Sequence, residues 1–381
     1  MGAYFDNAAT TFPKPESVYQ FMDTFYRIHG GNAGRGQYKL AAEASRILNE
    51  TRKKLQNLLM CPNKYVIFTP SDTLALNIVI QGNMNHGIKT IYISPFEHNS
   101  VTRVLHHLKK LFPINVEILP SGDDYQYDIS LIEQKFNEIP PDMVIVSHVS
   151  NVCGLIAPVE KIFEAAKKYR AITVTDMAQS AGLVSLNVGS ENVDYAVFSG
   201  HKTLYGPFGI AGFVMKKDVN LEPVIFGGTG IDSANQDMPD SIPSRYEAGS
   251  SNIQAVAGLH ASLTWLGANR DEIVEKEKTD HRKLLEILRS FPNIHIVGPR
   301  NRENCIGVIS CLFDDYSPDN IGNILDEMEI AVRTGLECAP LAHKTLGTFP
   351  AGTVRFSVGY FTTDEDFDVL NKGLAYIYEN S

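Results

Sequence analysis

Five short β-rich runs, each set off from the next by enough chain for a helix, leave this sequence few folds to choose from. They are YVIFT (65–69), TIYIS (90–94), MVIVSHV (143–149), AITVTD (171–176) and YAVFS (195–199). Between them lie stretches such as NSVTRVLHHLKKLF (99–112) and PVEKIFEAAKKYR (158–170), whose apolar residues recur near helical spacing. Strands alternating with helices predict a mostly parallel sheet covered on both faces. FGIAGFVMK (208–216) reads as a further strand. After about residue 255 the pattern changes: helical segments over 256–290, strands at NIHIVG (293–298) and CIGVISCLF (305–313), a helix over 317–328, a strand within GTVRFSVGYF (352–361) and a closing helix over 363–380. The reading is α/β, with a large mostly parallel sheet domain over 15–255. A smaller α+β domain spans 256–381, with 1–14 packing on it.

In open α/β sheets, ligands bind beyond the carboxyl ends of the strands. Here those ends run into PSDT (70–73), PFEHN (95–99), SNVCG (150–154), TDMAQ (175–179) and SGHK (199–202). PSDT precedes the helical LALNIVIQG, and the N–H groups and dipole of a helix start suit a phosphate. Asp176 can pair with a protonated ring nitrogen. Lys202 can form an imine with an aldehyde. His98 can stack on a ring or move a proton. Phosphate, ring nitrogen and aldehyde together describe pyridoxal 5'-phosphate (PLP).

Composition narrows the partners. A net charge of -10 argues against nucleic acid or an anionic membrane. No apolar run approaches the roughly 18 residues of a spanning helix, and the start of the chain lacks the pattern of a signal peptide. The five cysteines (61, 153, 305, 311 and 338) are odd in number and form no CxxC, so neither a disulfide framework nor a zinc site is expected. A reduced, cytoplasmic protein is the expectation.

The motifs DNAATT, EHN, HVSNVCG, TDMAQS, FSGHKTLYGP, RYEAGSSN, RTGLECAP and TVRFS follow one another as in class V aminotransferase-like, fold-type I PLP enzymes. Over nearly its whole length the chain resembles the cysteine desulfurase branch, especially the SufS/Csd-like group. The resemblance implies a fold-type I PLP-dependent transferase that converts L-cysteine to L-alanine and leaves the sulfur on Cys338 as a persulfide. It makes Lys202 the PLP-binding lysine and stacks His98 on the ring. It places Asn151 at the ring hydroxyl, and Asp176 and Gln179 at the pyridine nitrogen and ring oxygen. Phosphate contacts are implied for Asp72, Thr73, Ser199 and His201, and for Gly228 and Thr229 of a GGTG loop (227–230) donated by a partner subunit. That last contact implies a homodimer with its active sites at the interface. Arg355 is expected to bind the substrate carboxylate, with Arg333 and Asn7 at the same end. A partner protein or a small thiol would accept the sulfur. Selenocysteine lyase, cysteine sulfinate lyase and aminotransferase are the alternatives within PLP chemistry. A PLP-fold scaffold with little catalysis is the alternative outside it.

Two departures stand out. PSDT replaces the Gly/Ala-containing phosphate loop of relatives, so Asp72 must bind through its backbone or stay clear of the phosphate, since like charges repel. Glu337 replaces the histidine of an RxGxHCAP pattern. A carboxylate beside Cys338 is expected to disfavour the thiolate, unless Glu337 points to solvent and screening cancels the effect.

Overall fold

A computed structural model describes residues 2–34, 36 and 38–381. It begins with a two-residue strand, β1 (Ala3–Tyr4), and two helices, α1 (Glu16–His29) and α2 (Lys39–Leu58). Next come β2 (Tyr65–Thr69), α3 (Asp72–Gly82), β3 (Thr90–Ile93), α4 (Asn99–Leu108), β4 (Asn115–Ile118) and α5 (Ile129–Glu138). These lead to β5 (Met143–Ser147), α6 (Val159–Lys167), β6 (Ile172–Asp176), β7 (Tyr195–Ser199), β8 (Ala211–Met215) and the long α7 (Ile253–Arg289). The chain closes with β9 (Ile294–Val297), β10 (Val308–Phe313), α8 (Pro318–Glu327), β11 (Ile330–Ala331), β12 (Arg333–Gly335), α9 (Pro340–Leu346), β13 (Thr353–Ser357) and α10 (Asp364–Glu379).

Among the described residues, one seven-stranded sheet has the order β2-β8-β7-β6-β5-β3-β4. Only β8 opposes its neighbours, so the other six strands end on one edge. Every residue of β5 and β7 is buried, as covering helices on both faces require. Along β5 the side chains alternate between two cores, with Val144 and Val146 facing α2, α6 and the start of α7, and Met143 and Ile145 facing α3 and α4. The edge strand β4 carries the partly exposed NVEI, which has no apolar run to betray it in sequence.

The second sheet, β12-β13-β10-β9, is antiparallel. The chain start joins this region: β1 pairs in parallel with β11, and Ala3 and Phe5 lie in its core. No linker separates the two regions. Over its 37 residues α7 buries Ile253 to Ile273 in the large core and Leu284 and Leu288 in the small one, so a single helix belongs to both.

Candidate active site

Lys202 stands on the tight turn that leaves β7. Gly200 N–H donates to Ile210 O at 3.0 Å, and a Cβ on Gly200 would meet that oxygen at 2.4 Å, so only glycine fits. Gly206 N–H closes the turn on Gly200 O (2.7 Å), and Tyr205 N–H donates to Lys202 O (2.8 Å). The N-terminal segment grips the turn from outside. Thr10 Oγ1 and Lys14 Nζ donate to His201 O at 3.0 and 2.6 Å, and Thr11 Oγ1 donates to Lys202 O at 3.0 Å. Burial lowers the Lys14 ammonium from 10.5 to about 7.

Asp176 closes β6 and pairs in register with Val197 of β7. Its Oδ1 accepts from Ala178 N–H at 2.9 Å. Burial, and then the negative charge of Asp72, raise its pKa to about 6, against the pull of the Ala178 amide and Lys202. Gln179 Nε2 donates to Ala8 O (2.8 Å). His98 caps α4: its Nδ1 accepts from Ser100 N–H at 3.0 Å, which leaves the ring proton on Nε2. Burial, followed by the Lys202 ammonium, lowers the His98 pKa to about 4, so the ring is neutral at pH 7. Its neighbour Glu97 is fully buried. It accepts from Ser94 Oγ (2.6 Å), Ser147 N–H (2.6 Å) and Ser147 Oγ (2.8 Å), tying the ends of β3 and β5 together.

The phosphate end is less conventional. Ser71 caps α3 by accepting from Leu74 N–H (3.2 Å), and Asp72 Oδ1 accepts from Thr73 N–H (2.9 Å). One amide that the sequence reserved for a phosphate is thus engaged by Asp72 itself. Ser199 Oγ and His201 Nδ1, by contrast, are buried without a hydrogen-bond partner among the described residues. Unpaired buried polar atoms cost roughly 1–3 kcal/mol each. Burial, then Lys202 and Lys14, hold the His201 ring neutral with a pKa of about 4. A hydroxyl and a neutral ring nitrogen on either side of Gly200 are donors suited to a phosphate oxygen, so this end fits the phosphate of PLP.

Arg355 lies on β13, 2 % exposed. It donates through Nη2 to Asp6 Oδ1 (2.9 Å) and through Nη1 to Asn151 O (3.1 Å), while its Nε has no partner among the described residues. Asp6 also takes Arg333, whose Nε and Nη2 reach its two oxygens at 2.8–3.2 Å. Asp6 therefore bridges two arginines from 327 and 349 residues away. Arg333 is half exposed at this end. Asn7 spends its amide on backbone: Nδ2 donates to Ser357 O (3.1 Å) and Oδ1 accepts from Phe12 N–H (3.3 Å).

Cys338 is the one exposed cysteine among the described residues; Cys61, Cys153, Cys305 and Cys311 are buried. Its residue and the one before it are left-handed, with φ +57° and +40°. Two such non-glycine residues store roughly 1–2 kcal/mol each. Cys338 O accepts from Asn99 N–H (2.7 Å), and Asn151 Nδ2 donates to Glu337 O (2.8 Å). A cleft of ≈ 370 Å³ beside the thiol is shared by His98, Asn99, Arg103, His107 and Thr73. Glu337 does not point to solvent. Its side chain turns inward, wholly buried, and accepts from His343 Nε2 at 2.6 Å. Burial raises its carboxyl pKa, against the His343 hydrogen bond and the Arg355 charge.

The strand ends thus bring together Lys202, His98, Asp176, Asn151, Ser199 and His201, with Cys338 and Arg355 arriving from the second sheet. Gly228 and Thr229 are elsewhere in the chain's own fold, in a cleft with Asn49, Arg52 and Glu247 that none of the strand-end residues lines. Sequence reasoning missed Asp6, Thr10, Thr11, Lys14, Glu97 and His343. Asp6, Thr10 and Thr11 stood inside the quoted DNAATT and Glu97 inside EHN; nothing in the local pattern marked His343.

The chain matches the aminotransferase class-V family over residues 3–370. It is 33% identical to a probable cysteine desulfurase of Halalkalibacterium halodurans, over 97% of this chain and 92% of that one. To the cysteine desulfurase of Pectobacterium carotovorum it is 30% identical, over 99% and 93%. Among solved structures, the apo cysteine desulfurase of Thermococcus onnurineus superposes with a TM-score of 0.90 at 30% identity, covering 100% of this chain and 95% of the other. The cysteine desulfurase CsdA of Escherichia coli gives 0.87 at 26%, covering 99% and 95%. The lysine turn, the acid at the end of the neighbouring strand and these likenesses along the whole chain agree: the protein belongs to the class-V aminotransferase family, within its cysteine desulfurase group.

Proposed function

We propose that this protein is a PLP-dependent cysteine desulfurase, taking sulfur from L-cysteine onto Cys338 and releasing L-alanine. The observation that carries this reading is the exposed Cys338 on a strained loop tied to Asn99, next to His98 and in the same cleft. Lys202 would hold PLP covalently, with Asp176 at the ring nitrogen, His98 on the ring face, Gln179 and Asn151 at the ring oxygen, and Ser199 and His201 at the phosphate. Asp72 and Thr73 would border that phosphate. When bound, PLP supplies an aldehyde for the substrate amine and an electron sink. Arg355, oriented by Asp6, binds the α-carboxylate through its free Nε. The Lys202 amine takes the proton from the substrate Cα. The Cys338 thiolate attacks the substrate sulfur: the S–S bond forms as the Cβ–S bond breaks, and the electron pair stays with the carbon skeleton. Alanine is completed by two protons: the substrate thiol's own proton goes to Cβ, Lys202 returns the one it took to Cα, and the persulfide is left as its anion. Gly228 and Thr229 reach the phosphate of a second copy, which makes the working form a homodimer, and a thiol of a partner protein or small molecule takes the persulfide sulfur. The setting is cytoplasmic; among the described residues no helix is long and apolar enough to cross a membrane.

The test is turnover of cysteine, selenocysteine and cysteine sulfinate by the PLP-loaded protein and by Cys338→Ala, with alanine, sulfide and keto acid measured. Alanine from cysteine should be lost in the variant by orders of magnitude while cysteine still perturbs the PLP absorbance. Undiminished activity, or keto acid as the main product, would favour lyase or aminotransferase chemistry.

A further inference from the structure

Glu337 stands where the sequence suggested an electrostatic handicap for Cys338, yet it faces away from solvent. Three contacts pin its residue and the next. The Glu337 carboxylate accepts from His343 Nε2 at 2.6 Å, with both side chains 0% exposed. The Glu337 carbonyl accepts from Asn151 Nδ2 at 2.8 Å, and the Cys338 carbonyl from Asn99 N–H at 2.7 Å. His343 is itself locked. Its Nδ1 lies 2.7 Å from Thr348 Oγ1, and its carbonyl accepts from Thr348 N–H (2.9 Å) at the end of α9. Ala339 N–H donates to Leu336 O (2.7 Å), closing the loop over the two left-handed residues. A loop of non-glycine residues at positive φ persists only where its surroundings over-determine it. Here the surroundings are one buried acid–imidazole contact and two backbone anchors.

We propose that Glu337, held by His343 and Thr348, is a positioning residue that fixes the Cys338 loop in its left-handed form and so sets the approach of the thiol to the substrate sulfur. The proposal rests on the desulfurase reading for its kinetic consequence, but the latch itself does not depend on it. Asn151 extends the latch toward the substrate end, because its side chain holds Glu337 O while its carbonyl holds Arg355 Nη1. The nucleophile and the carboxylate-binding arginine therefore share one anchor. The carboxylate before Cys338 thus serves as a buried strut joined to α9.

The experiment compares Glu337→Ala and Glu337→Gln with the parent, all PLP-loaded. In a single turnover, persulfide formation on Cys338 should fall about a hundredfold in Glu337→Ala, the scale expected for a misplacement of about 1 Å. Cysteine binding, read from the PLP absorbance, should be unchanged, since only the later step uses the thiol. Glu337→Gln keeps a carbonyl acceptor for His343 Nε2–H and should recover most of the rate. Amide exchange at Asn99 and Ala339 should quicken in Glu337→Ala and stay near the parent in Glu337→Gln. His343→Gln, which leaves Glu337 in place but removes the imidazole, gives the same comparison if Glu337→Ala does not fold. Unaltered transfer and exchange in Glu337→Ala overturn the proposal. So does an equal loss of cysteine binding in both Glu337 variants, which would mark a general collapse. A parent protein that forms no persulfide would instead refute the desulfurase reading, and the exchange data would still decide the latch.

Discussion

Asp176 should make the cofactor-free protein less stable than it need be. Its carboxyl ordinarily titrates at 3.8 and here at about 6, mainly through burial and then the charge of Asp72. At about 1.4 kcal/mol per pH unit, keeping the buried carboxylate ionised costs the fold about 3 kcal/mol. The sign follows from the raised value: the folded state binds the proton more tightly than the unfolded chain. The cost is therefore complete above the folded value of about 6 and disappears below the ordinary value of 3.8. Asp176→Asn retains the Oδ1 acceptor for Ala178 N–H and removes the charge. Freed of PLP, this variant should exceed the parent in urea-unfolding stability by up to about 3 kcal/mol near pH 7.5, and the gain should shrink steadily as the pH falls through 6 toward 4. Adding PLP should reverse the order, because a protonated ring nitrogen turns the buried carboxylate from a cost into a partner. A difference that does not vary with pH, or a variant less stable than the parent near neutrality, would refute the reasoning.

The remaining predictions are shorter. Borohydride reduction of the PLP-loaded protein should fix the cofactor to the peptide bearing Lys202, as read by mass spectrometry; an adduct on Lys14, whose Nζ reaches this turn from the N-terminal segment, would reassign the role. Arg355→Lys cannot span Asp6, Asn151 O and a substrate carboxylate together, so cysteine affinity should weaken roughly ten- to hundredfold, the equivalent of about 1.5–3 kcal/mol, while persulfide transfer at saturation is spared. Glu247→Ala removes the acceptor of Arg52 Nη2 (2.5 Å) and Phe68 N–H (2.7 Å), and should cost roughly 3 kcal/mol in denaturant unfolding because it strands a largely buried guanidinium.

Much of this protein's architecture is legible in its sequence. Apolar runs of five residues alternating with helical spacing dictate a covered parallel sheet, because each strand must bury both faces. Once that sheet is assumed, the polar residues after its strands must share one edge, which brings Lys202, Asp176, His98 and Ser199 together without knowledge of side-chain contacts. Such inferences succeed because periodicity and strand polarity are local properties. The edge strand β4 escaped because an exposed edge needs no apolar run.

What only the tertiary structure decided are the pairings between segments far apart in the chain. Asp6 meets Arg355 across 349 residues and Thr10 meets His201 across 191, because the N-terminal segment folds back over both sheets. No spacing rule relates such positions. The direction of Glu337 was equally beyond the sequence. A carboxylate next to a cysteine can face water, the thiol or the core, and its neighbours in sequence do not choose among them. The choice was made by α9, which places His343 where one hydrogen bond to Oε2 offsets part of the desolvation of the buried acid, although Oε1 keeps no partner among the described residues and burial still raises the carboxyl pKa.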